Sequence, residues 1–172
     1  VLRKVREGFK TNDRGKIIMA CGTGKTFTSL RITEDIAGEG KIVLYMVPSL
    51  ALMSQTIREW KNDSLNDFIA FSACSDSKVG RRNSQNDLVE VSLNDLAFPA
   101  CTDPENLSQK IKEADQSKLI VVFSTYQSID VISKAQQKYG LRDFDLIICD
   151  EAHRTTGATL SGEDESKFIR IH

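Results

Sequence analysis

Apolar residues in this chain fall into five short, continuous runs rich in β-branched side chains: Lys16 to Ala20, Ile42 to Val47, Phe68 to Ala73, Leu119 to Phe123 and Leu146 to Cys149. None alternates with polar positions, which is the pattern of strands covered on both faces rather than of a half-solvated sheet. Between the runs the apolar spacing becomes helical. One helix is predicted over Phe27 to Ala37. A second carries Leu50, Met53, Ile57 and Trp60 on one face and stops at Lys61-Asn62. A third opens at Asp103-Pro104, an N-cap followed by proline at the first helical position. Val1, Leu2, Val5 and Phe9 make a further helical stripe at the start, as if the chain were cut from something longer. Strands alternating with helices predict right-handed crossovers and a mostly parallel sheet, hence one α/β domain over residues 1–172. The rhythm breaks after residue 74, where Ser, Asn and Asp cluster around Lys78 to Asn83, followed by a weak alternation from Leu88 to Leu96. Residues 76–102 read as an insertion or decorated loop, and the charges of Lys78, Arg81 and Arg82 as its solvated face.

Composition narrows the class without naming it. A chain of 172 residues that is 40% hydrophobic and 27% charged is neither disordered nor fibrous. Lys and Arg total 23 against 24 for Asp and Glu, so no global basic field marks a nucleic-acid binder. Charge is weakly segregated: the first sixteen residues are basic, and residues 141–172 carry four basic and seven acidic side chains. The cysteines, Cys21, Cys74, Cys101 and Cys149, show no metal-ligand spacing and read as free thiols of a reducing, cytoplasmic compartment. The longest apolar run, Ile42 to Val47, falls far short of the roughly 20 residues a membrane span needs.

The first apolar run leads directly into Met19-Ala20-Cys21-Gly22-Thr23-Gly24-Lys25-Thr26, with the first predicted helix behind it. Strand, glycine turn, Lys-Thr and helix, in that order, is the context of a phosphate-binding loop. Glycines let successive amides turn inward around a phosphate, and the helix N-terminus adds its positive dipole. Gly22, Thr23, Gly24, Lys25 and Thr26 are therefore the expected nucleotide-binding residues. Lys25 would pair with the β- and γ-phosphates, and Thr26 would ligate Mg²⁺. The full G-x-x-x-x-G-K-[ST] form wants glycine where this chain has Met19. Cys21 reads as a small filler within the loop.

The last run delivers Asp150-Glu151-Ala152-His153 at its C-terminal end, the side on which open α/β sheets bind ligands. Two adjacent carboxylates there can divide the work. Asp150 would hold Mg²⁺, and Glu151 would accept a proton from, or orient, the water that attacks the γ-phosphate. His153 reads either as a coupling residue linking this site to another part of the protein or as a structural hydrogen-bonding residue beneath it.

At these residues the chain resembles the superfamily 2 helicases and translocases, the DEAD/DEAH-box-like ATPases. Residues 19–26 look like their motif I and residues 150–154 like motif II. The stretch from Val47 to Gln55 looks like motif Ia, and Phe123 to Ser128 like the further nucleic-acid-contacting segment. The similarity is greatest to motor subunits of type I, type III and single-polypeptide restriction-modification enzymes, and covers nearly the whole chain. It implies a RecA-like P-loop NTPase domain with helices on both faces of its sheet, the first of two such domains, using ATP and Mg²⁺ to drive a motor on double-stranded DNA. The family's DNA-contacting roles fall on Pro48, Ser49, Gln55, Thr125 and Gln127. Leu50 stands where many members carry arginine. The arginine-bearing motifs of the second domain are not in this chain, so the resemblance implies ATP binding with slow hydrolysis for these residues alone. Two other readings of the phosphate loop stay open on the residues: a small-molecule or nucleotide kinase, and a regulatory nucleotide-binding module without turnover.

Overall fold

The structure is a computed structural model and describes residues 1–75 and 100–152. In chain order the elements are α1 (Leu2–Gly8), α2 (Lys25–Ile36), β1 (Ile42–Val47), α3 (Leu50–Asp63), β2 (Phe68–Ala73), β3 (Ala100–Cys101), α4 (Pro104–Glu113), β4 (Leu119–Thr125), a 3₁₀ turn (Tyr126–Ser128), α5 (Ile129–Tyr139) and β5 (Leu146–Cys149). The strands form one sheet in the order β3-β2-β4-β1-β5, and each pairing in it is parallel. Parallel neighbours require crossovers, supplied by α3 between β1 and β2, α4 between β3 and β4, and α5 between β4 and β5.

Burial explains the unbroken apolar runs. Each residue of β1 and of β4 is buried, because helices cover the sheet on both sides. Along β1 the side chains divide by turns between two cores. Val43, Tyr45 and Val47 pack with Leu30 of α2 and with Met53, Ile57 and Trp60 of α3. Ile42, Leu44 and Met46 pack with Leu107 and Ile111 of α4 and Ile132 and Ala135 of α5. Helix ends follow local chemistry. The Ser49 hydroxyl caps α3 by accepting from the Leu52 amide, and the Asp103 carboxylate caps α4 by accepting from the Glu105 and Asn106 amides ahead of Pro104 at the first turn. Gly140 ends α5 in the left-handed conformation at φ 66°. Helix α1 lies against α2, with Leu2 and Val5 packed on the first core and Arg6 paired with Asp35.

Three expectations need correction. Lys16 to Ala20 is not a strand: it takes no regular structure, and Ile17 and Ile18 are 47% and 85% exposed. A strand exists only with a partner, and among the described residues no pairing joins this segment to the sheet, although β5 is its edge strand. The proposed insertion ends sooner than residue 102, since Ala100 and Cys101 pair with Ser72 and Ala73 as β3 and Cys101 is buried. The fourth strand continues past Phe123 to Thr125. The remainder of that insertion, with Lys78, Arg81 and Arg82, and the candidate coupling residue His153 lie outside the described residues. Of the cysteines, Cys74 and Cys101 are buried, Cys149 is half-buried and Cys21 is exposed. Burial pushes the Cys74 thiol up to about 11, as suits a packing residue. Among the described residues no helix is long and apolar enough to cross a membrane.

Candidate functional site

The glycine-containing turn keeps its expected shape although no strand precedes it. Gly22 and Gly24 adopt left-handed φ values of 75° and 79°, and a Cβ on either would meet nothing within 4 Å. Glycine is therefore required by the backbone conformation and not by crowding. The Thr23 hydroxyl donates to the Ala20 carbonyl at 2.7 Å and closes the turn. Gly24 is the N-cap of α2, no side chain caps that end, and no acidic residue lies in its first turn. The amides of a helix start left without a side-chain acceptor, with Lys25 and Thr26 as the first helical residues, form an anion-binding end.

The acidic pair comes from the far end of the chain. β5 places Asp150 and Glu151 at the C-terminal edge of the sheet, where the Asp150 amide donates to the Met46 carbonyl at 2.9 Å and so continues the pairing with β1. Glu151 turns sharply, at φ 54°, a conformation unusual for a residue with a side chain. Its amide donates to Asp150 Oδ1 at 2.9 Å. The turn aims the Glu151 carboxylate at the phosphate-type loop, and Lys25 Nζ donates to Glu151 Oε1 in an ion pair with both side chains partly exposed. The Glu151 contact holds the Lys25 ammonium above its ordinary pKa. Burial, aided by the Glu151 charge, pushes the Asp150 carboxyl above its ordinary value against the pull of the Glu151 amide and Lys25.

Two aromatic residues that the sequence reading assigned only to packing or to motif context also touch this site. Trp60 of α3 donates from Nε1 to the Thr26 carbonyl at 3.2 Å, and the Tyr126 hydroxyl donates to the Asp150 carbonyl at 2.6 Å. The available sign was chemical: each is a large apolar ring with one polar atom that needs a partner when buried. The partner itself depends on sheet order, which residue spacing does not reveal.

The five residues expected to contact nucleic acid divide by exposure. Pro48 and Ser49 follow β1 and Gln127 follows β4, so they share the sheet edge with Asp150 and Glu151. Ser49 and Gln127 are exposed. Gln55 is exposed further along α3, where its amide donates to Glu59 at 2.7 Å. Thr125 differs: it is buried, and its hydroxyl lies 2.8 Å from that of Ser128 within the turn.

The donor set suits a nucleotide with magnesium. Thr26 offers a hydroxyl and Asp150 a carboxylate, the hard oxygen ligands magnesium takes. No group of three or more His, Cys, Asp or Glu side chains converges among the described residues. A cation here would complete its shell with water and substrate phosphates, its usual mode at nucleotide sites.

Residues 1–170 match the family described as type III restriction enzyme, res subunit. A protein of African swine fever virus, described as a probable helicase, is 31% identical over 150 residues, covering 86% of this chain and 14% of the viral protein. Two solved structures are each 41% identical with a TM-score of 0.79 over 99% of this chain. One is a nuclease-deletion mutant of the type ISP restriction-modification enzyme LlaGI in complex with a DNA substrate mimic, and the other is the ATP-dependent type ISP restriction-modification enzyme LlaBIII bound to DNA. This chain spans only 13% and 11% of those two chains. The likeness extends to the all-parallel sheet flanked by helices, which is the RecA-like arrangement. The chain belongs to the family of the type III restriction enzyme res subunit and has the fold of its helicase-like motor domain.

Proposed function

We propose that these residues form the ATP-binding and ATP-hydrolysing motor domain of a longer DNA translocase or helicase of the restriction-modification type, acting on double-stranded DNA together with a second RecA-like domain of the same polypeptide. The observation that carries this reading is the contact between Lys25 and Glu151, which joins the phosphate-type loop to the acidic turn at one sheet edge. A regulatory nucleotide site needs the first; a hydrolase needs both.

In this reading Gly22, Thr23, Gly24, Lys25 and Thr26 cradle the phosphates. The α2 amides and the Lys25 ammonium meet negative charge on the β- and γ-phosphates. Thr26 and Asp150 are the residues that would hold Mg²⁺, whose contribution when bound is to neutralise charge on the phosphate oxygens. Glu151 accepts a proton from the attacking water as its oxygen bonds to the γ-phosphorus. The bond to the β–γ bridging oxygen breaks, releasing ADP and inorganic phosphate. Phosphoryl transfer depends chiefly on positioning and electrostatics, so a loop, a lysine and a directed carboxylate supply most of what one domain can offer. A transition-state arginine is worth about 10³ to 10⁵ in rate where another domain or protein supplies one, and the proposed second domain is its expected source. These residues alone should therefore bind ATP and turn it over slowly.

The two enzymes bound to DNA support DNA as the track, and Pro48, Ser49, Gln55 and Gln127 are the proposed contacts on this domain. Thr125 takes part by shaping the turn before Gln127. The deciding measurement is phosphate release by the full-length protein with and without duplex DNA. Stimulation by DNA supports the motor, and a rate that no DNA raises rejects it.

A further inference from the structure

The residues proposed to hold magnesium, Thr26 in α2 and Asp150 after β5, share one feature: the backbone carbonyl of each receives a hydrogen bond from a buried aromatic side chain. Each aromatic belongs to an element that also carries proposed DNA contacts. Trp60 lies in α3, which is capped by Ser49 and displays Gln55. Tyr126 lies between Thr125 and Gln127. Both are essentially inaccessible to solvent, at 1% and 0% exposure.

The two contacts are linked through packing. The Trp60 ring stands edge-on to Tyr45 and to Phe123, with centroids 4.9 and 5.5 Å away, and Phe123 belongs to β4, the strand that leads into Tyr126. The Tyr45 hydroxyl lies 3.2 Å from Ser29 Oγ, which itself donates to the Thr26 carbonyl at 2.7 Å. Buried Trp and Tyr side chains need some polar partner. That need alone leaves unexplained why both partners are the carbonyls of the proposed magnesium residues.

Resting on the motor reading above, we propose that Trp60 and Tyr126 are positioning residues that couple the DNA-facing elements to the nucleotide site: a shift of α3 or of the turn after β4 on DNA reaches Thr26 or Asp150 through the hydrogen bond that each ring makes to the backbone carbonyl. Rigid aromatic bodies suit this role, because a ring fixed by close packing moves with its neighbours rather than changing rotamer.

The test uses Tyr126→Phe in the full-length protein, which removes the hydroxyl and keeps the ring. Three quantities are measured: ATPase rate without DNA, ATPase rate with saturating duplex DNA, and affinity for a labelled duplex. The ratio of stimulated to basal rate should fall about two- to tenfold, the range expected for one hydrogen bond, while DNA affinity stays within about twofold of the wild type. Trp60→Phe should lower the same ratio, with thermal melting reporting its packing loss separately. An unchanged ratio in the folded Tyr126→Phe protein, or an equal fall in basal and stimulated rates, overturns the coupling and leaves the motor reading standing. A wild-type protein whose ATPase no DNA stimulates overturns the motor reading and the coupling with it.

Discussion

Lys25 and Glu151 are 126 positions apart in the chain, and their side chains meet across the C-terminal edge of the sheet. The contact satisfies the lysine with a carboxylate in the place where the proposed substrate would offer a phosphate. Glu151 reaches it from a left-handed backbone, a conformation that costs of order 1–3 kcal/mol and persists only where its surroundings impose it. Here the Asp150 amide pairs with the Met46 carbonyl, the Glu151 amide bonds Asp150 Oδ1, and Lys25 meets the carboxylate. In the proposed function, nucleotide binding and hydrolysis draw on this one pair of charges, and each half can be tested separately.

Substituting Glu151→Gln removes the carboxylate and keeps the shape. Lys25 then has no anionic competitor, so nucleotide affinity should stay equal or rise. The ATPase rate of the full-length protein should fall about 10²- to 10⁴-fold, the usual worth of a positioned proton acceptor. Fluorescent-nucleotide titration and phosphate release measure the two effects, and an undiminished rate would assign proton acceptance to another group.

Lys25→Ala should abolish measurable nucleotide binding and, with it, turnover. The ion pair is partly exposed, with 32% and 27% of the side chains accessible, so thermal stability should change little. A calorimetric titration with ATP and a melting curve check this pair of outcomes. Normal affinity in the variant would remove Lys25 from the binding site.

Gly24→Ala and Gly140→Ala form a matched comparison. Both positions have positive φ, 79° and 66°, so alanine should cost each about 1–2 kcal/mol in backbone strain. Around Gly24 there is open space, whereas a Cβ at Gly140 comes 3.3 Å from Lys112 Nζ, which donates to the Tyr139 carbonyl. Both variants should melt earlier, and only Gly24→Ala should lose nucleotide affinity. Equal affinity in the two would show that the loop binds nothing.

Ile42–Val47 was legible because its continuous apolar character matches a strand covered on both faces, and Phe68–Ala73 and Leu146–Cys149 share that character although Ile147 is 51% exposed. Lys16 to Ala20 has the same character and failed, because apolarity reports what a segment avoids and not which strand lies beside it. Ala100–Cys101 is too short for any period to register. At the site, the loop and the acidic turn were readable as separate local motifs. Their meeting, and the reach of Trp60 and Tyr126, depend on β1 lying between β4 and β5, a long-range fact that no local spacing encodes.

Asp145 makes stability depend on pH at the opposite end of β5. Burial alone would raise its pKa, but the Ile42 amide, at 2.9 Å, and Lys41 outweigh it and hold the carboxyl below its ordinary value. A depressed folded-state pKa contributes stability above the unfolded value, about pH 4, and loses it as pH falls through the folded value. Asp145→Asn should therefore be less stable than the wild type at neutral pH by about 1 kcal/mol, with the difference vanishing in acid. Urea unfolding at several pH values measures it, and a pH-independent difference would show that the carboxylate charge is not the cause.

The strand order has a temporal consequence. β1 pairs with β4 and β5, and β2 with β3 and β4, so the strands made first on the ribosome have their principal partners in the second half of the chain. At ~5–20 residues per second, β1 waits several seconds before β4 is synthesised. Throughout that interval Ile42 to Val47, an uncharged β-prone segment, lacks both of its partner strands. Its safety during synthesis rests on α2 and α3, whose apolar faces are available to cover it early.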